Sequence, residues 1–371
     1  MGDLEMYDYL IVGAGLFGSV FAHEATKRGA HCLVVEKRPH IGGNLYQENI
    51  NGIDVHRYGA HIFHTSDKAI WDYVNQFVTF NNFVNSPIAN YKGELYSLPF
   101  NMNTFYQLWG VKTPQEAQEK IREQSLDVEY PQNLEEQALK LVGSDIYEKL
   151  IKGYTEKQWQ RDPKELPSFL IKRLPLRFTF DNNYFNDTYQ GIPNEGYNTF
   201  ISKLLEGSDV ILNIDYFKHR ERLEAMATTV VFTGPIDQFY NYKYGHLEYR
   251  TLHFETETVP IENYQGVAVM NFTDHEVPYT RVIEHKHFKT WSNGTQLGTV
   301  ITKEYPREWE EDDEPYYPID DDRNIDISLQ YHIEALGEEN VIFGGRLGDY
   351  TYYDMDDVIR KALEAIEDEF I

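Results

Sequence analysis

The segment that most constrains the fold lies near the N-terminus, where a mostly apolar run leads into a glycine-rich turn. Tyr7–Val12 is typical of a buried parallel strand, and GAGLFG follows it with Gly13, Gly15 and Gly18 in the spacing G-x-G-x-x-G. The first glycine allows a tight turn, the second lets backbone approach a pyrophosphate, and the third lets helix and strand pack closely. Glu36, at the end of the next strand, is the expected acceptor for ribose hydroxyls. This order predicts a dinucleotide site; the alternative is an ordinary strand–helix turn.

Two further segments resemble flavoproteins of the glutathione-reductase type. KRPHIGGNLY adds a second glycine pair, Gly42 and Gly43, shortly after the acidic residue, and FGGRLGDYTYYDMD resembles the closing flavin motif of that class. In that motif Arg346 would meet phosphate or the ribityl chain. The helix that starts at Asp354 and Met355 would point its N-terminus at the isoalloxazine ring and favour negative charge there. The alternative for Asp354 is that it only caps the helix.

Composition limits the partners. With 371 residues and 41% hydrophobic content, the chain is expected to form two or three domains. The formal net charge of −26 disfavours binding to nucleic acid, so an anionic ligand would need local arginines. Cys32 is the only cysteine, which excludes a disulfide framework and a thiolate zinc site. Because neither a membrane-spanning run nor a signal peptide is recognisable, we expect a soluble cytoplasmic protein without membrane contact.

The remaining sequence alternates between helical and strand-like regions. SDKAIWDYVNQFV predicts a helix capped by Ser66. A hairpin is predicted at Lys92–Gly93, and the segment from about Asn103 to Trp159 is predicted to be mostly helical. Three prolines, at 163, 167 and 175, interrupt the next segment and predict a loop, which we expect to be mobile. Short strands such as TTVVFTGP, GVAVMNF, YTRVIEH and GTVITKEY follow. A final helix is predicted to present Val358, Ala362, Leu363 and Ile366 on one face.

The predicted fold class is α/β, with an FAD-binding Rossmann-like domain of the glutathione-reductase type, an inserted helical domain and an antiparallel β-sheet domain. The FAD-binding domain is predicted to be discontinuous, at 1–80, about 190–245 and about 330–371. The helical substrate domain is predicted at about 100–190, with its mobile loop at about 163–178. The sheet domain is predicted at about 81–99 and about 246–329.

Eight motifs decide which flavoprotein family the chain resembles. YGAHIFHT, KGYTEKQW, KRLPLRF, NYFND, YRTL, VPYTRVIEHK, PYYPI and GRLGDYTYYDMD resemble bacterial UDP-galactopyranose mutase, in that family's order and up to about residue 360. The resemblance implies non-covalently bound FAD, active when reduced, and interconversion of UDP-galactopyranose and UDP-galactofuranose. One departure is visible: many members have paired phenylalanines before KGY, where this chain has Leu150 and Ile151. Aromatic packing at the uridine end is therefore in question.

The resemblance also implies roles for individual residues. Tyr154, Thr155 and Trp159 would belong to the uridine pocket, and Arg173 and Arg281 would bind the diphosphate. The full substrate set comprises Asn85, Tyr154, Thr155, Trp159, Arg173, Tyr184, Phe185, Arg250, Asn271, Arg281, Tyr317 and Tyr352, and the catalytic set Arg173, Arg281 and His64. The cofactor set comprises Gly13, Ala14, Gly15, Phe17, Gly18, Glu36, Lys37, Gly43, Asn44, Tyr58, His61, Ile62, Arg346, Asp354 and Met355.

The implied chemistry explains why arginines are needed. The resemblance implies that reduced flavin N5 attacks the anomeric carbon as UDP leaves. The sugar ring then opens to a flavin iminium and recloses. UDP must be held meanwhile, and forked arginine donors match its phosphate oxygens. The resemblance further implies UDP-galactose as substrate, supply of galactofuranose for cell-surface polysaccharide, an unidentified external reductant and a homodimer.

Some alternatives stay open at the level of sequence. His61 and His64 lie three residues apart, but no carboxylate or cysteine cluster accompanies them, so no metal site is predicted. They either hydrogen-bond the flavin and tune its protonation, or are satisfied core groups. The whole chain could instead be a redox flavoenzyme of the amine oxidase or desaturase type. A third possibility is a binding protein that keeps this fold without the cofactor.

Overall fold

The computed structural model describes residues 6–171, 176–289, 298–310 and 313–370. The strands are β1 (Tyr7–Val12), β2 (Cys32–Val35), β3 (Gln47–Ile50), β4 (Ile53–His56), β5 (Phe63–Thr65), β6 (Ile88–Tyr91), β7 (Glu94–Ser97), β8 (Tyr189–Gly191), β9 (Asp209–Ile211), β10 (Ala227–Phe232), β11 (Tyr249–Val259), β12 (Val269–Phe272), β13 (Arg281–Glu284), β14 (Thr299–Glu308), β15 (Tyr317–Pro318) and β16 (Val341–Phe343). The helices are α1 (Leu16–Lys27), α2 (Lys68–Val74), α3 (Met102–Trp109), α4 (Pro114–Gln124), α5 (Leu134–Ile146), α6 (Gly153–Trp159), α7 (Tyr197–Leu204), α8 (Tyr216–Glu224), α9 (Ile236–Phe239), α10 (Asp322–Ala335), α11 (Gly345–Gly348) and α12 (Met355–Glu369). Within these ranges, every helix is too short or too polar to cross a membrane.

A parallel sheet carries the N-terminal glycine turn. Its strand order is β16-β10-β1-β2-β9, and all four pairings are parallel. Helix α1 connects β1 to β2 and packs against α12. Val20, Phe21 and Ala25 of α1 are fully buried, as their helical spacing predicts. This arrangement confirms the predicted Rossmann-like fold class, which places the glycine turn at the carboxyl end of the central strand.

A second, mostly antiparallel sheet has the order β15-β11-β14-β13-β12-β6-β7. Only the contact of β12 with β6 is parallel among its described pairings. The predicted hairpin is present as β6 and β7, with Lys92 and Gly93 both at positive φ in the turn. The sheet brings together strands that are as far apart in sequence as β6 and β15, and its central strands position the candidate site.

The helical region lies between β7 and β8. Of the four apolar residues at helical spacing in this helix, Leu134, Ala138 and Val142 of α5 are buried, and Leu141 is only partly buried. The helix is interrupted at Gly143, whose φ of 78° is left-handed, and a π-helical segment, Tyr147–Lys152, leads into α6. The proline-rich segment forms two short 3₁₀ turns, Pro163–Glu165 and Ser168–Ile171. Residues 172–175, which include Arg173 and Pro175, lie outside the described residues.

Two local expectations are wrong or incomplete. Asp67, not Ser66, caps α2, because the Asp67 carboxylate accepts from the N–H groups of Ala69 and Ile70. The Ser66 hydroxyl instead donates to Asp187 at 2.7 Å. In α12 the fully buried face includes Ile359, while Val358 and Leu363 are only partly buried.

Helix α10 was not predicted from the sequence. Its N-cap Asp321 belongs to the acidic run PIDDD, and the Asp321 carboxylate accepts from the Asn324 N–H at 2.8 Å. Ile325, Leu329 and Ile333 are exposed, so α10 lacks the one-sided apolar pattern that identifies a packed helix. Its main buried anchor is Tyr331, whose hydroxyl donates to the Gly245 carbonyl.

Candidate active site

The glycine turn has the geometry that a pyrophosphate requires. Gly13 has a φ of 109°, and a Cβ there would lie 2.2 Å from the Thr233 hydroxyl oxygen. A Cβ on Gly18 would lie 2.2 Å from the Gly13 carbonyl oxygen. Gly15 differs, because a Cβ there would meet no protein atom within 4 Å. Its open side faces no part of the described chain, and the unpaired N–H groups of the first turn of α1 begin next to it.

The predicted ribose acceptor is fixed to this turn. The Glu36 carboxylate is buried and accepts from the Ala14 N–H at 3.0 Å and from the Arg38 N–H at 2.9 Å. Each oxygen keeps a free lone pair for a hydroxyl. The second glycine pair also closes on the turn: Gly42 donates to the Ala14 carbonyl at 2.8 Å, and a Cβ on Gly43 would lie 3.1 Å from the Gly15 Cα.

Three predicted cofactor residues surround Arg38, which was not itself predicted from the sequence. The Arg38 guanidinium lies 4.4 Å from the ring centre of Tyr58 and donates to the Asn44 side-chain oxygen at 3.1 Å. Glu314 accepts from Arg38 at 2.7 Å and pairs with Lys37 at 3.1 Å. Arg38 directly follows Glu36 and Lys37, so its place in the motif was the available signal.

The C-terminal motif closes over the same turn. The Phe17 ring is buried against Gly344, where a Cβ would lie 2.1 Å from a ring carbon, so only the Phe17 backbone remains for a cofactor. Arg346 donates to the Tyr353 carbonyl at 2.6 Å and lies 4.7 Å from the ring centre of Tyr352. Asp354 occupies the N-cap position of α12, but its side chain accepts no hydrogen bond from that helix. Burial raises the pKa of Asp354.

Met355 begins α12 and is partly buried against the core of the parallel sheet. Ile62 is buried in a separate cluster with Ile192 and Ile283. These two residues therefore belong to different hydrophobic clusters.

The two candidate histidines have different environments. His61 is partly buried, and desolvation, aided by Arg346, lowers its pKa to about 4, so the ring is neutral near pH 7. Its Nδ1 lies 2.9 Å from the Gly59 carbonyl oxygen, so that nitrogen carries the proton and Nε2 is left as an acceptor. His64 stacks on Phe185 at 3.8 Å, and its Nδ1 lies 2.7 Å from the Asp187 carboxylate. Asp187 was not selected from the sequence.

A polar row crosses the centre of the antiparallel sheet. Asn271 on β12 is paired with Arg281 on β13, which is paired with Glu304 on β14. Directly paired residues share a face, so the three side chains project together. The Arg281 Nη1 lies 3.5 Å from the Glu304 Oε2. Asn271 Oδ1, Arg281 Nε and Glu304 Oε1 are all buried without a hydrogen-bond partner among the described residues. Buried polar atoms are normally paired, so these three atoms are candidates for contact with a polar ligand.

Charges in this row are set by burial and by each other. Tyr154, and then Glu304, raise the pKa of Arg281 against the effect of burial, so the guanidinium stays charged. Burial raises the pKa of Glu304, and Arg281 opposes that rise. Glu304 was not predicted as a site residue. The available signal was a charged residue at an inward position of the strand VITKEY.

Arg250 and the candidate tyrosines lie nearer the edge of the sheet, and Arg250 is four residues from Phe254, the β11 residue paired with Glu304. Arg250 on β11 is paired with Tyr317 on β15. The buried Arg250 donates to the Gln158 carbonyl at 2.8 Å, while its Nε has no partner among the described residues. The ring centres of Tyr317 and Tyr352 are 5.7 Å apart, and Arg346 lies against both. This cluster joins the sheet to the C-terminal motif.

Helix α6 forms one wall of a cavity of about 230 Å³. The cavity lining includes five predicted substrate residues, Tyr154, Thr155, Trp159, Tyr184 and Asn271. The Tyr154 hydroxyl accepts from Arg281 at 3.3 Å, which connects the cavity to the polar row. Asn85 is next to the cavity, since the Asn85 carbonyl accepts from the N–H of the lining residue Tyr184 at 2.7 Å. Arg173 lies outside the described residues, so the structure places every predicted substrate residue except that one.

Lys157 fixes α6 to the antiparallel sheet. Its ammonium group is buried and donates to the carbonyls of Phe272 at 2.7 Å and Tyr279 at 2.9 Å. Burial lowers the pKa of Lys157 to about 8 from its usual value near 10.5. Between these two values the unfolded chain binds more protons than the folded one, so stability from this group increases as the pH rises.

We therefore expect the difference in free energy of unfolding, wild type minus Lys157→Met, to increase by about 2 kcal/mol between pH 7.5 and pH 9.5. Urea denaturation at both pH values measures this difference. Lys120→Met is the control, because Lys120 is exposed and its pKa is raised by Glu123, above this window. Parallel pH curves for wild type and Lys157→Met would contradict the assignment.

Comparison with known proteins decides the family. The UDP-galactopyranose mutase family model matches residues 149–352, and an NAD(P)-binding Rossmann-like domain model matches residues 11–77. A probable UDP-galactopyranose mutase of Klebsiella pneumoniae is 42% identical, over 98% of this chain and 94% of that protein. The chain belongs to the UDP-galactopyranose mutase family. Membership confirms the predicted resemblance and enzyme class, an isomerase, and supports interconversion of pyranose and furanose rings.

The chain is also similar to a second mutase and to several solved structures. A dTDP-fucopyranose mutase of Escherichia coli is 40% identical over 98% of each chain. Among solved structures, a reduced UDP-galactopyranose mutase matches with a TM-score of 0.73 at 15% identity, covering 98% of this chain and 95% of that one. A putrescine oxidase matches with a TM-score of 0.56 at 12% identity, covering 98% and 99%. These structural matches show a shared fold.

Proposed function

We propose that this protein interconverts UDP-galactopyranose and UDP-galactofuranose, with FAD as its cofactor. The single observation that carries the proposal is the polar row of Asn271, Arg281 and Glu304. Its buried atoms that have no partner within the described part of the chain adjoin the α6 cavity through Tyr154. A nucleotide sugar has the matching parts: a flat base for the cavity, a diphosphate for the arginine and sugar hydroxyls for the remaining polar atoms.

The residues present fit an FAD. The open side of Gly15 leaves room for the pyrophosphate, and Glu36 keeps lone pairs for the ribose. Tyr58, Asn44 and Lys37 line the same end. At the other end, the neutral His61, Arg346 and the start of α12 at Met355 would adjoin the flavin. When bound and reduced, flavin supplies an electron-rich nitrogen that acts as a nucleophile toward the anomeric carbon.

The arginines have to hold UDP while its bond to the sugar is broken. We propose that Arg281 binds the diphosphate together with Arg173, Tyr317 and Tyr352, and that Asn85, Arg250 and Asn271 adjoin the sugar. Charge on the diphosphate increases as the bond to the anomeric carbon breaks, so a fixed guanidinium stabilises the departing group. Glu304 orients Arg281 at 3.5 Å. The net charge of −26 gives no long-range attraction for an anion, so affinity must come from these close contacts.

Proton handling is proposed for His64. Its ring is held between Phe185 and the Asp187 carboxylate, which orients the imidazole. A carboxylate at Nδ1 leaves Nε2 to exchange protons with a sugar hydroxyl or the cofactor. This role is compatible with a reaction that opens and recloses a sugar ring without net redox change.

The base is proposed to lie against α6. Trp159 is partly buried and lines the cavity with Tyr154. We expect Trp159→Ala to weaken UDP binding by about 1–3 kcal/mol, because one stacking surface is lost. Isothermal titration calorimetry with UDP measures this effect. Trp109→Ala is the matched control, since Trp109 lies outside the cavity lining. Equal UDP affinity of wild type and Trp159→Ala would remove Trp159 from the site.

We further propose that the protein is a cytoplasmic homodimer that accepts electrons from an external reductant and supplies galactofuranose for cell-surface polysaccharide. Family membership supports this setting. The name of the E. coli relative shows that one family member acts on a thymidine nucleotide sugar. We propose UDP-galactose as the substrate because the family model is that of UDP-galactopyranose mutase.

The test is a turnover assay with both oxidation states of the FAD-loaded protein. Dithionite-reduced protein is incubated with UDP-galactofuranose, and UDP-galactopyranose is measured by liquid chromatography. We expect conversion by the reduced protein and little by the oxidised one. Absence of conversion with flavin bound would falsify the proposal. Stoichiometric consumption of oxygen or NAD(P)H with an oxidised product would instead indicate a redox flavoenzyme.

A further inference from the structure

One irregular segment, 181–187, brings three residues to the candidate site. Tyr184 lines the α6 cavity, the Phe185 ring stacks on His64 at 3.8 Å, and the Asp187 carboxylate lies 2.7 Å from the His64 Nδ1. The segment belongs to no helix or strand, so regular backbone pairing does not fix it. Its position therefore depends on individual contacts that other residues make with its backbone.

Arg177 holds the backbone of this segment on both sides of Tyr184. Its guanidinium donates to the carbonyl of Asn183 and, at 3.3 Å, to the carbonyl of Phe185. It also donates to the side-chain oxygen of Asn186. A guanidinium can connect several acceptors in this way because its donors form a planar fork, whereas a lysine ammonium is a compact charge on a flexible stem.

Arg177 is itself attached to the helical core. Its N–H donates to the carbonyl of Phe100 at 2.9 Å, and the neighbouring Leu176 forms an isolated β-bridge with Phe100, which is buried in that core. The Arg177 side chain is only 13% exposed. Its Nη1 lies 3.6 Å from the carboxylate of Asp181, but that side chain is 57% exposed. Because exposed ion pairs contribute little, the main role of this guanidinium is to hold carbonyl groups.

Tyr184 has a separate support that does not involve Arg177. The Asn85 carbonyl accepts from the Tyr184 N–H at 2.7 Å, and the Asn85 N–H donates to the Gln190 side chain at 3.0 Å. Without Arg177, the Tyr184 backbone would therefore stay attached next to the cavity, whereas Phe185 would lose the link from its carbonyl to the helical core. The two parts of the site should respond differently to loss of this arginine.

We propose that Arg177 is a positioning residue for the reaction, which holds Phe185 against His64 and thereby fixes the imidazole. The proposal rests on the proposed function, in which His64 handles protons. Arg177 acts through Phe185, and a proton-transferring group that is misplaced by about 1 Å slows the chemical step by about 100-fold. Its contribution is therefore to kcat rather than to nucleotide binding.

The test is Arg177→Met, which removes the fork but keeps an unbranched apolar stem. With dithionite-reduced, FAD-loaded protein and UDP-galactofuranose, we expect kcat to fall about 10- to 100-fold, while the UDP affinity from calorimetry stays within about threefold of wild type. Arg220→Met is the matched control. The partly buried Arg220 also donates to a backbone carbonyl, that of Phe239 at 3.0 Å, but it lies on α8, outside the cavity lining. We expect wild-type kcat for this control.

A double-mutant cycle with Phe185→Leu tests the route from Arg177 to His64. If Arg177 acts through Phe185, Arg177→Met should lower kcat by no more than about threefold further in the Phe185→Leu protein. Effects on kcat that multiply in full would overturn this route. Arg177→Lys keeps one donor and should show an intermediate kcat, which decides the question if Arg177→Met does not fold. Wild-type kcat in Arg177→Lys would overturn the need for the fork.

The same measurements separate this proposal from the proposed function. Wild-type protein that converts UDP-galactofuranose, together with wild-type kcat in Arg177→Met, overturns the positioning role alone. Equal losses of kcat and UDP affinity in Arg177→Met would indicate a general disturbance of the site and would also overturn that role. Absence of conversion by the wild-type protein overturns both proposals.

Discussion

Replacement of Arg281 by alanine is expected to lower kcat/KM for the nucleotide sugar by about 10²- to 10⁴-fold, because two charge-assisted hydrogen bonds of about 1.5–3 kcal/mol each are lost. The structure adds a second cost. Glu304 is buried and would lose the guanidinium that opposes the rise in its pKa. Arg281→Lys keeps the charge but not the forked donors, so an intermediate loss is expected.

Steady-state kinetics with reduced protein measures this effect, and the flavin absorbance spectrum reports whether cofactor is retained. Arg307→Ala is the matched control, since Arg307 lies on the neighbouring strand β14 but pairs with Asp313 at the surface. We expect near-wild-type kinetics for that control. Arg281→Ala activity within threefold of wild type would remove Arg281 from the diphosphate site.

Replacement of Gly15 by alanine is expected to weaken FAD binding by at least about 100-fold without destabilising the cofactor-free protein. Gly15 has a φ of −80°, which any residue adopts, and a Cβ there meets no protein atom within 4 Å. The open space is therefore expected to matter only when a pyrophosphate occupies it. Fluorescence titration with FAD and thermal unfolding of the cofactor-free protein measure the two effects separately.

Gly18→Ala is the informative control for Gly15→Ala. A Cβ on Gly18 would lie 2.2 Å from the Gly13 carbonyl oxygen, so this variant is expected to lose about 1–3 kcal/mol of stability even without cofactor. Wild-type FAD affinity of Gly15→Ala would remove Gly15 from the cofactor site. A loss of cofactor-free stability as large as that of Gly18→Ala would show that Gly15 is a structural position.

Local sequence was sufficient for the dinucleotide-binding unit. The strand, the three glycines and Glu36 lie within one short segment, and each has a backbone or hydrogen-bonding requirement that is visible in the residue type. The close approach of Gly43 to Gly15 follows from the same logic. By contrast, the helix after PIDDD was missed because its exposed isoleucines give no one-sided pattern and its main anchor, Tyr331, packs on distant residues.

The polar row required the structure. Asn271, Arg281 and Glu304 become neighbours only through the register of three strands, and nothing within each strand specifies that register to a reader of the sequence. Family resemblance supplied the first two residues but not Glu304, and it supplied the glycine turn without Arg38. Glu304 and Arg38 are both charged side chains. Their roles are recognised from their burial and from a charged neighbour in the fold, not from a local motif.

Cleavage of the bond between the anomeric carbon and the diphosphate, with UDP retained by Arg281 and its neighbours, is tested most directly by positional isotope exchange. UDP-galactopyranose carrying ¹⁸O in that bond is incubated with reduced, FAD-loaded protein and examined by ³¹P NMR. We predict that the label moves into the non-bridging positions of the β-phosphate at least as fast as the ring isomerises. Complete ring isomerisation with all of the label still in the bridging position would contradict this account.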